Sequence, residues 1–201
     1  MNIISLKVGE MGNNCYLISD EETGDTLVID PGEEGDFIST SILENKLTPI
    51  GIVLTHGHYD HCLAVLELKL NFDIPIYLHQ KDLFLYQKAH LSGKHFSGIS
   101  SPKLPPVDFY LEDSDKVSFG SSFLKVIHTP GHTPGSVCLY SAPHLFTGDT
   151  LFAEGVGRTD LPYSSSKDLR QSLAKISRFP ENTFIYPGHE EYGIFLPKVL
   201  I

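Results

Sequence analysis

The stretch Thr55-His56-Gly57-His58-Tyr59-Asp60-His61 limits what this chain can fold into more than any other, because it crowds three imidazoles and a carboxylate into six residues. It follows the apolar run Gly51-Ile52-Val53-Leu54, which reads as a buried strand. Extended residues at i, i+2 and i+4 point to one side. A strand geometry that persists past Leu54 therefore brings His56, His58 and Asp60 to one point. His61 then sits at the head of a helix-like run, and the pattern predicts a helix over Asp60 to Leu70. Imidazole with carboxylate suits zinc, iron or manganese, and the lack of thiolate argues against a structural Cys-type zinc site. A divalent ion takes about four to six ligands, so this stretch needs partners from elsewhere in the chain.

Those partners follow other apolar runs. His132 stands in Thr129-Pro130-Gly131-His132, just past a strand ending at His128, and Asp149 in Thr147-Gly148-Asp149, just past another. His189 stands in Pro187-Gly188-His189, past the last predicted strand. Each sits beside a glycine that allows close backbone approach, and ligands of open sheets gather at the carboxyl ends of strands. Counting assigns His56, His58 and His132 to one ion and Asp60, His61 and His189 to a second, with Asp149 placed to bridge. Five imidazoles and two carboxylates match a two-metal site. Zinc is the favoured ion, with iron or manganese as alternatives.

Charge narrows the partners. A net charge of −10 without a basic run makes nucleic acid a poor partner. No apolar run reaches the length of a membrane-spanning helix, and the N-terminus lacks the basic and apolar regions of a secretory signal. Cys15, Cys62 and Cys138 have no Cys-x-x-Cys spacing, so a disulfide framework is not expected and a reduced, cytoplasmic setting is. The chain, at 201 residues and 41% hydrophobic, suits a single domain over 1–201 with a sizeable core.

The remaining pattern supplies the layers. Strands are expected at Ile3 to Val8, Cys15 to Ser19 and Thr26 to Asp30, then a helix from Gly35 to Leu47. The central strand, the Asp60 to Leu70 helix and a strand over Ile74 to His79 form a βαβ unit and hence a parallel pair. A short helix is expected over Lys81 to His90, and an irregular stretch, a lid or a surface insertion, over Leu91 to Val107. Short strands follow at Phe109 to Leu111, Lys116 to Phe119 and Phe123 to His128, with a hairpin at Val137 to Tyr140 and His144 to Thr147. A helix over Lys167 to Ser177 precedes the last strand, Thr183 to Tyr186. This order fits two packed sheets with helices outside, a mixed α/β or α+β arrangement.

The chain resembles the metallo-β-lactamase-fold hydrolases, and within them the glyoxalase II (hydroxyacylglutathione hydrolase) group. The matching pieces run from Asn14-Cys15-Tyr16-Leu17 and Val28-Ile29-Asp30-Pro31-Gly32 through Thr55 to His61, Thr129 to Ser136, Thr147 to Phe152 and Gly157-Arg158 to Gly188-His189-Glu190. The resemblance implies an α+β fold, an αββα sandwich of two mixed sheets with the metal site at one edge. It assigns the same seven ligands as the spacing. It also implies substrate binding by Arg158, which matches a basic residue contacting a glutathione carboxylate; a loop ion pair is the competing role. The group's additional helical domain after the last ligand is not expected, since 12 residues follow His189. Asp160 and Glu191 stand where that group has tyrosines, which disfavours an anionic ligand.

The expected chemistry is hydrolysis of a small S-acyl thiol such as S-lactoylglutathione by metal-activated hydroxide, with Asp60 orienting the nucleophile. A lactonase or phosphodiesterase would use the same site. An iron-dependent persulfide dioxygenase, resembling this chain in fold and in its Gly157-Arg158-Thr159-Asp160 loop, would need only His56, His132 and Asp149. Metal count and oxygen dependence separate these readings.

Overall fold

The computed structural model describes residues 1–196. Two six-stranded sheets face each other. The first takes β1 (Asn2–Val8), β2 (Asn13–Ser19), β3 (Asp25–Ile29), β4 (Thr48–Val53), β5 (Ile76–His79) and β6 (Phe109–Leu111), adjacent in that order. Its first three strands form an antiparallel meander; from β3 to β6 the pairing is parallel. The second contains β7 (Lys116–Phe119), β8 (Ser122–His128), β9 (Val137–Ser141), β10 (His144–Gly148), β11 (Phe184–Pro187) and β12 (Ile194–Phe195). Only β10 and β11 run parallel there. Helices α1 (Gly35–Glu44), α2 (Val65–Phe72) and α3 (Leu83–Phe96) belong to the first half, and α4 (Ser166–Ile176) to the second.

The period-2 alternation of strands sorts side chains into three apolar layers. Between the sheets lie Tyr16, Ile18, Leu27, Ile29, Val53, Val126 and Phe146. Their sequence neighbours Cys15, Leu17, Val28 and Ile52 point the other way, onto Ile38 and Ile42 of α1 and Val65 and Leu68 of α2. In the second sheet Cys138, Leu145 and Ile185 meet Leu169, Leu173 and Ile176 of α4. Three apolar layers make a four-layer αββα sandwich, the architecture expected from the sequence.

Boundaries differ where tertiary contacts override local pattern. Asp60 to Leu70 is not one helix. Tyr59–His61 forms a single 3-10 turn, and α2 starts at Val65. The Ala64 amide, which an α-helix would direct to the Asp60 carbonyl, bonds instead to the carbonyls of Pro31 and Gly32. Helix α1 stops at Glu44 rather than Leu47, as Lys46 turns to φ 55°. Helix α3 runs on to Phe96 and shortens the irregular stretch. That stretch packs Ile99, Leu104 and Val107 against the α1–α3 core, with the Tyr86 hydroxyl donating to the Pro105 carbonyl at 2.8 Å. Strand β12 has no clear signature in the sequence; it is two residues long and depends on pairing with β11.

Candidate metal centre

The carboxyl ends of β4, β8, β10 and β11 lie together at one edge of the sandwich, and the loops leaving them carry the seven predicted side chains. The convergence of His56, His58 and Asp60 on one point is not what forms. Past Val53 the chain leaves strand geometry, and the 3-10 turn swings Asp60 away from the two histidines. His58 Nδ1 lies 3.1 Å from His56 Nε2 and 3.0 Å from His132 Nε2. Asp60 instead joins the second group, its Oδ2 3.2 Å from His189 Nε2 and 3.7 Å from His61 Nε2. Asp149 stands between the two: Oδ1 is 3.4 Å from His61 Nε2, and Oδ2 is 3.5 Å from His132 Nε2 and 3.9 Å from His189 Nε2.

The outward-facing ring nitrogens are fixed by hydrogen bonds, which aim the others into the centre. His61 Nδ1 meets Asp30 Oδ2 at 3.1 Å, His132 Nδ1 the Arg158 carbonyl at 3.1 Å, and His189 Nδ1 the Met11 carbonyl at 3.2 Å. His56 Nδ1 meets Thr55 Oγ1 at 3.1 Å, and that hydroxyl donates to Asp30 Oδ2 at 2.6 Å. Asp30 thus steers one histidine of each group, a role that the sequence alone does not reveal. Its signal was present but unspecific: an acid ending an apolar strand before Pro31-Gly32. Both its oxygens are occupied by Thr55 and His61, so it supports the centre from behind.

Neighbouring elements hold the loops. The Ser165 amide donates to the Gly131 carbonyl at 2.7 Å, and Ser172 Oγ to the Pro130 carbonyl at 2.7 Å, so α4 pins the His132 loop. Helix α4 is itself capped by Ser165 Oγ, which accepts from the Asp168 amide. The Tyr16 hydroxyl and Asn14 Nδ2 donate to the Pro187 carbonyl at 2.6 Å and 3.1 Å, fixing the His189 loop to β2.

These residues fit metal ions on several counts. The ligand atoms of His56, His58 and His132 lie within 4.8 Å of one another, as do those of Asp60, His61 and His189. Three ring nitrogens face each other around His58 Nδ1, a cluster of lone pairs that a cation satisfies and protons cannot all satisfy. Asp149 Oδ1 is buried without a hydrogen-bond donor. At Gly188 a Cβ would come within 2.4 Å of Asp149 Oδ1 and 2.6 Å of His61 Cε1, so only glycine permits this approach.

The two halves differ electrostatically. Burial, and then the neighbouring histidines, hold His56 far down toward its neutral form, and burial with His132 brings His58 down to about 4. In the other half burial opposes charge on His61, yet the carboxylates of Asp149, Asp60 and Asp30 push it up to about 10. Burial also works against the charge of Asp60, but His61 and His189 hold its carboxyl well below the usual range. The centre therefore holds His56 and His58 toward their neutral, ligating form on one side and sets a negative field that favours cations on the other.

Arg158 reaches the rim in two ways. Its carbonyl orients His132, and its guanidinium forms a bidentate pair with Asp160, at 2.9 Å for each bond. Both side chains are exposed. Cys15, Cys62 and Cys138 are buried free thiols, as expected, and among the described residues no helix is long and apolar enough to cross a membrane.

Comparison with known proteins agrees with this geometry. A probable metallo-hydrolase of Bacillus subtilis, YqgX, is 38% identical over 92% of this chain and 88% of its own. The hydroxyacylglutathione hydrolase GloC of Haemophilus influenzae is 33% identical over 96% of this chain and 92% of its own. The solved structure of TTHA1623 in a di-iron-bound form superposes with a TM-score of 0.86 at 38% identity, over 94% of this chain and 92% of that one. Residues 8–189 match the metallo-beta-lactamase superfamily, and with paired His/Asp clusters at the joined edge of an αββα sandwich the chain belongs to that family of metal-dependent hydrolases.

Proposed function

We propose that the protein hydrolyses a small S-acyl thiol, of which S-lactoylglutathione is the first to test, at a centre of two divalent ions. His56, His58 and His132 would hold one ion, and Asp60, His61 and His189 the other, with Asp149 near both groups. The observation that carries this reading is the position of Asp149, within 3.5 Å of His132 and 3.4 Å of His61. When bound, two such ions lower the pKa of water from 15.7 to about 7 and polarise a carbonyl.

The chain's residues supply the rest. Asp30 and Thr55 keep His56 and His61 in the tautomers whose lone pairs face inward. Asp60, beside His61 and His189, would accept a hydrogen bond from the attacking water and orient it. A thiol leaving group, with a pKa of about 8.5, departs without a strong general acid, so hydrolysis of a thioester asks for none from the motifs. Arg158, exposed and paired with Asp160, would meet a substrate carboxylate in competition with that pair. Zinc suits the donor set, and iron is supported by the di-iron relative. The buried free thiols agree with a reduced, cytoplasmic setting.

The test is metal content per chain of protein purified without added metal, together with thiol release from S-lactoylglutathione under air and under nitrogen. Two metals per chain with oxygen-independent release is the expected result. One iron per chain with oxygen consumed on glutathione persulfide would refute it.

A further inference from the structure

Asp82 is a buried carboxylate outside the seven-residue cluster. It lies in the 3-10 turn Gln80–Asp82 between β5 and α3. Its Oδ2 accepts from the Gly57 amide at 2.9 Å and from Thr133 Oγ1 at 2.6 Å, and its Oδ1 from the Gly135 amide at 2.6 Å. Gly57 separates His56 from His58, and Thr133 follows His132. One carboxylate thus ties the β4 loop of the first sheet to the β8 loop of the second, at the histidines of a single group.

The junction is built for this contact. A Cβ on Gly135 would fall 2.6 Å from Asp82 Oδ1 and 2.8 Å from the Asp82 amide nitrogen, so the loop approaches so closely only as glycine. Beside it the rings of His79 and His128 stack at 4.2 Å and 10°, and His128 Nε2 lies 3.0 Å from the Pro134 carbonyl. A buried charge is costly unless its hydrogen bonds are made, and all of the donors recorded for this one come from the two ligand loops. The other group is held by Asp30, which bonds His61 directly and reaches His56 only through Thr55, and by the Met11 carbonyl behind His189.

We propose that Asp82 is a positioning residue for one half of the centre: it locks the His56–His58 loop to the His132 loop and so sets the affinity of that group for its ion, leaving the Asp60/His61/His189 group unaffected. This rests on the two-metal reading above.

The test is titration of metal-free wild type, Asp82→Asn and Thr133→Val with Co²⁺, followed by visible absorption and calorimetry, with a thermal melt of each metal-free protein. Wild type is expected to show two binding steps. In Asp82→Asn either amide orientation sets an N–H against the amide of Gly57 or Gly135. One step should weaken about tenfold or more, and the other should keep its wild-type affinity. His132→Ala must remove that same step. Thr133→Val, which deletes one donor and spares the carboxylate, should weaken the same step by less and decides the matter if Asp82→Asn does not fold. Both steps weakened alike, or neither weakened, overturns the inference, since a general loss of stability would not discriminate between the two ions. Fewer than two Co²⁺ on the wild type refutes the two-metal reading and this inference with it. Two ions on the wild type with unaltered steps in both variants refutes Asp82 alone.

Discussion

Gly188→Ala tests how closely the centre is packed. The added methyl would lie 2.4 Å from Asp149 Oδ1 and 2.6 Å from His61 Cε1. Ordinary contact needs about 3.5 Å, so Asp149, His61 or the loop must move by about 1 Å. Gly188 is not in a left-handed conformation, so the effect is steric rather than a backbone penalty. Overpacking of this kind costs about 1–3 kcal/mol. For a chain of this size that lowers the melting temperature by roughly 2–12 °C, leaving a folded protein to study. Metal–ligand distances tolerate only about 0.2 Å, and Asp149 faces both groups. Affinity should therefore fall about 10–100-fold for both ions, and kcat/KM on the thioester by about 100-fold. The assay is metal content after dialysis against graded chelator, with a circular-dichroism melt as the folding control. Wild-type metal content and activity in a folded Gly188→Ala protein would refute the claim that Gly188 sets the position of Asp149.

Asp30→Ala strands the Thr55 amide, the Thr55 hydroxyl and His61 Nδ1 in a buried site; a loss of about 3–5 kcal/mol is expected in a denaturant titration, and a loss below about 1 kcal/mol would contradict it. The metal-free protein should be most stable near neutral pH. His61, raised to about 10, contributes stability that is full below its unfolded value of about 6.5 and lost as pH rises through 10. His58, lowered to about 4, contributes stability that is present above about 6.5 and lost as pH falls through 4. Melting temperatures of chelator-treated protein from pH 4 to pH 10 should form a dome, and a steady rise to pH 10 would contradict the charge assignment. Asp160→Ala releases Arg158 from its bidentate pair and should lower KM for an anionic acyl thiol with kcat unchanged; an unchanged KM would remove Arg158 from the substrate contacts.

Local pattern alone carried most of the fold. Apolar pattern marked the strands because the centre of a strand buried on both faces, as β2 is, runs apolar from Cys15 to Ile18, whereas β8 shows its solvent face as Lys125 between Leu124 and Val126. The seven side chains at the centre were legible for a related reason. Each follows an apolar run at a strand end, and few residue types can bind a cation, so identity and spacing together narrowed the choice. The seven-member set reads from sequence, and so does the grouping of Asp60 with His61 and His189; the convergence of Asp60 on His56 and His58 does not form. The i, i+2, i+4 argument assumed that the strand continued, and it failed because the Ala64 amide is drawn to the Pro31 and Gly32 carbonyls, bending Tyr59–His61 into a turn. The roles of Asp30 and Asp82 also needed the structure. Each acts on groups about 25 to 53 residues away, and a buried acid that accepts from backbone amides looks, in sequence, like any acid at a turn. Which residues can bind is a property of composition and spacing; what holds them at 3 Å from one another is set by hydrogen bonds between loops of two different sheets, which exist only once the sheets have packed.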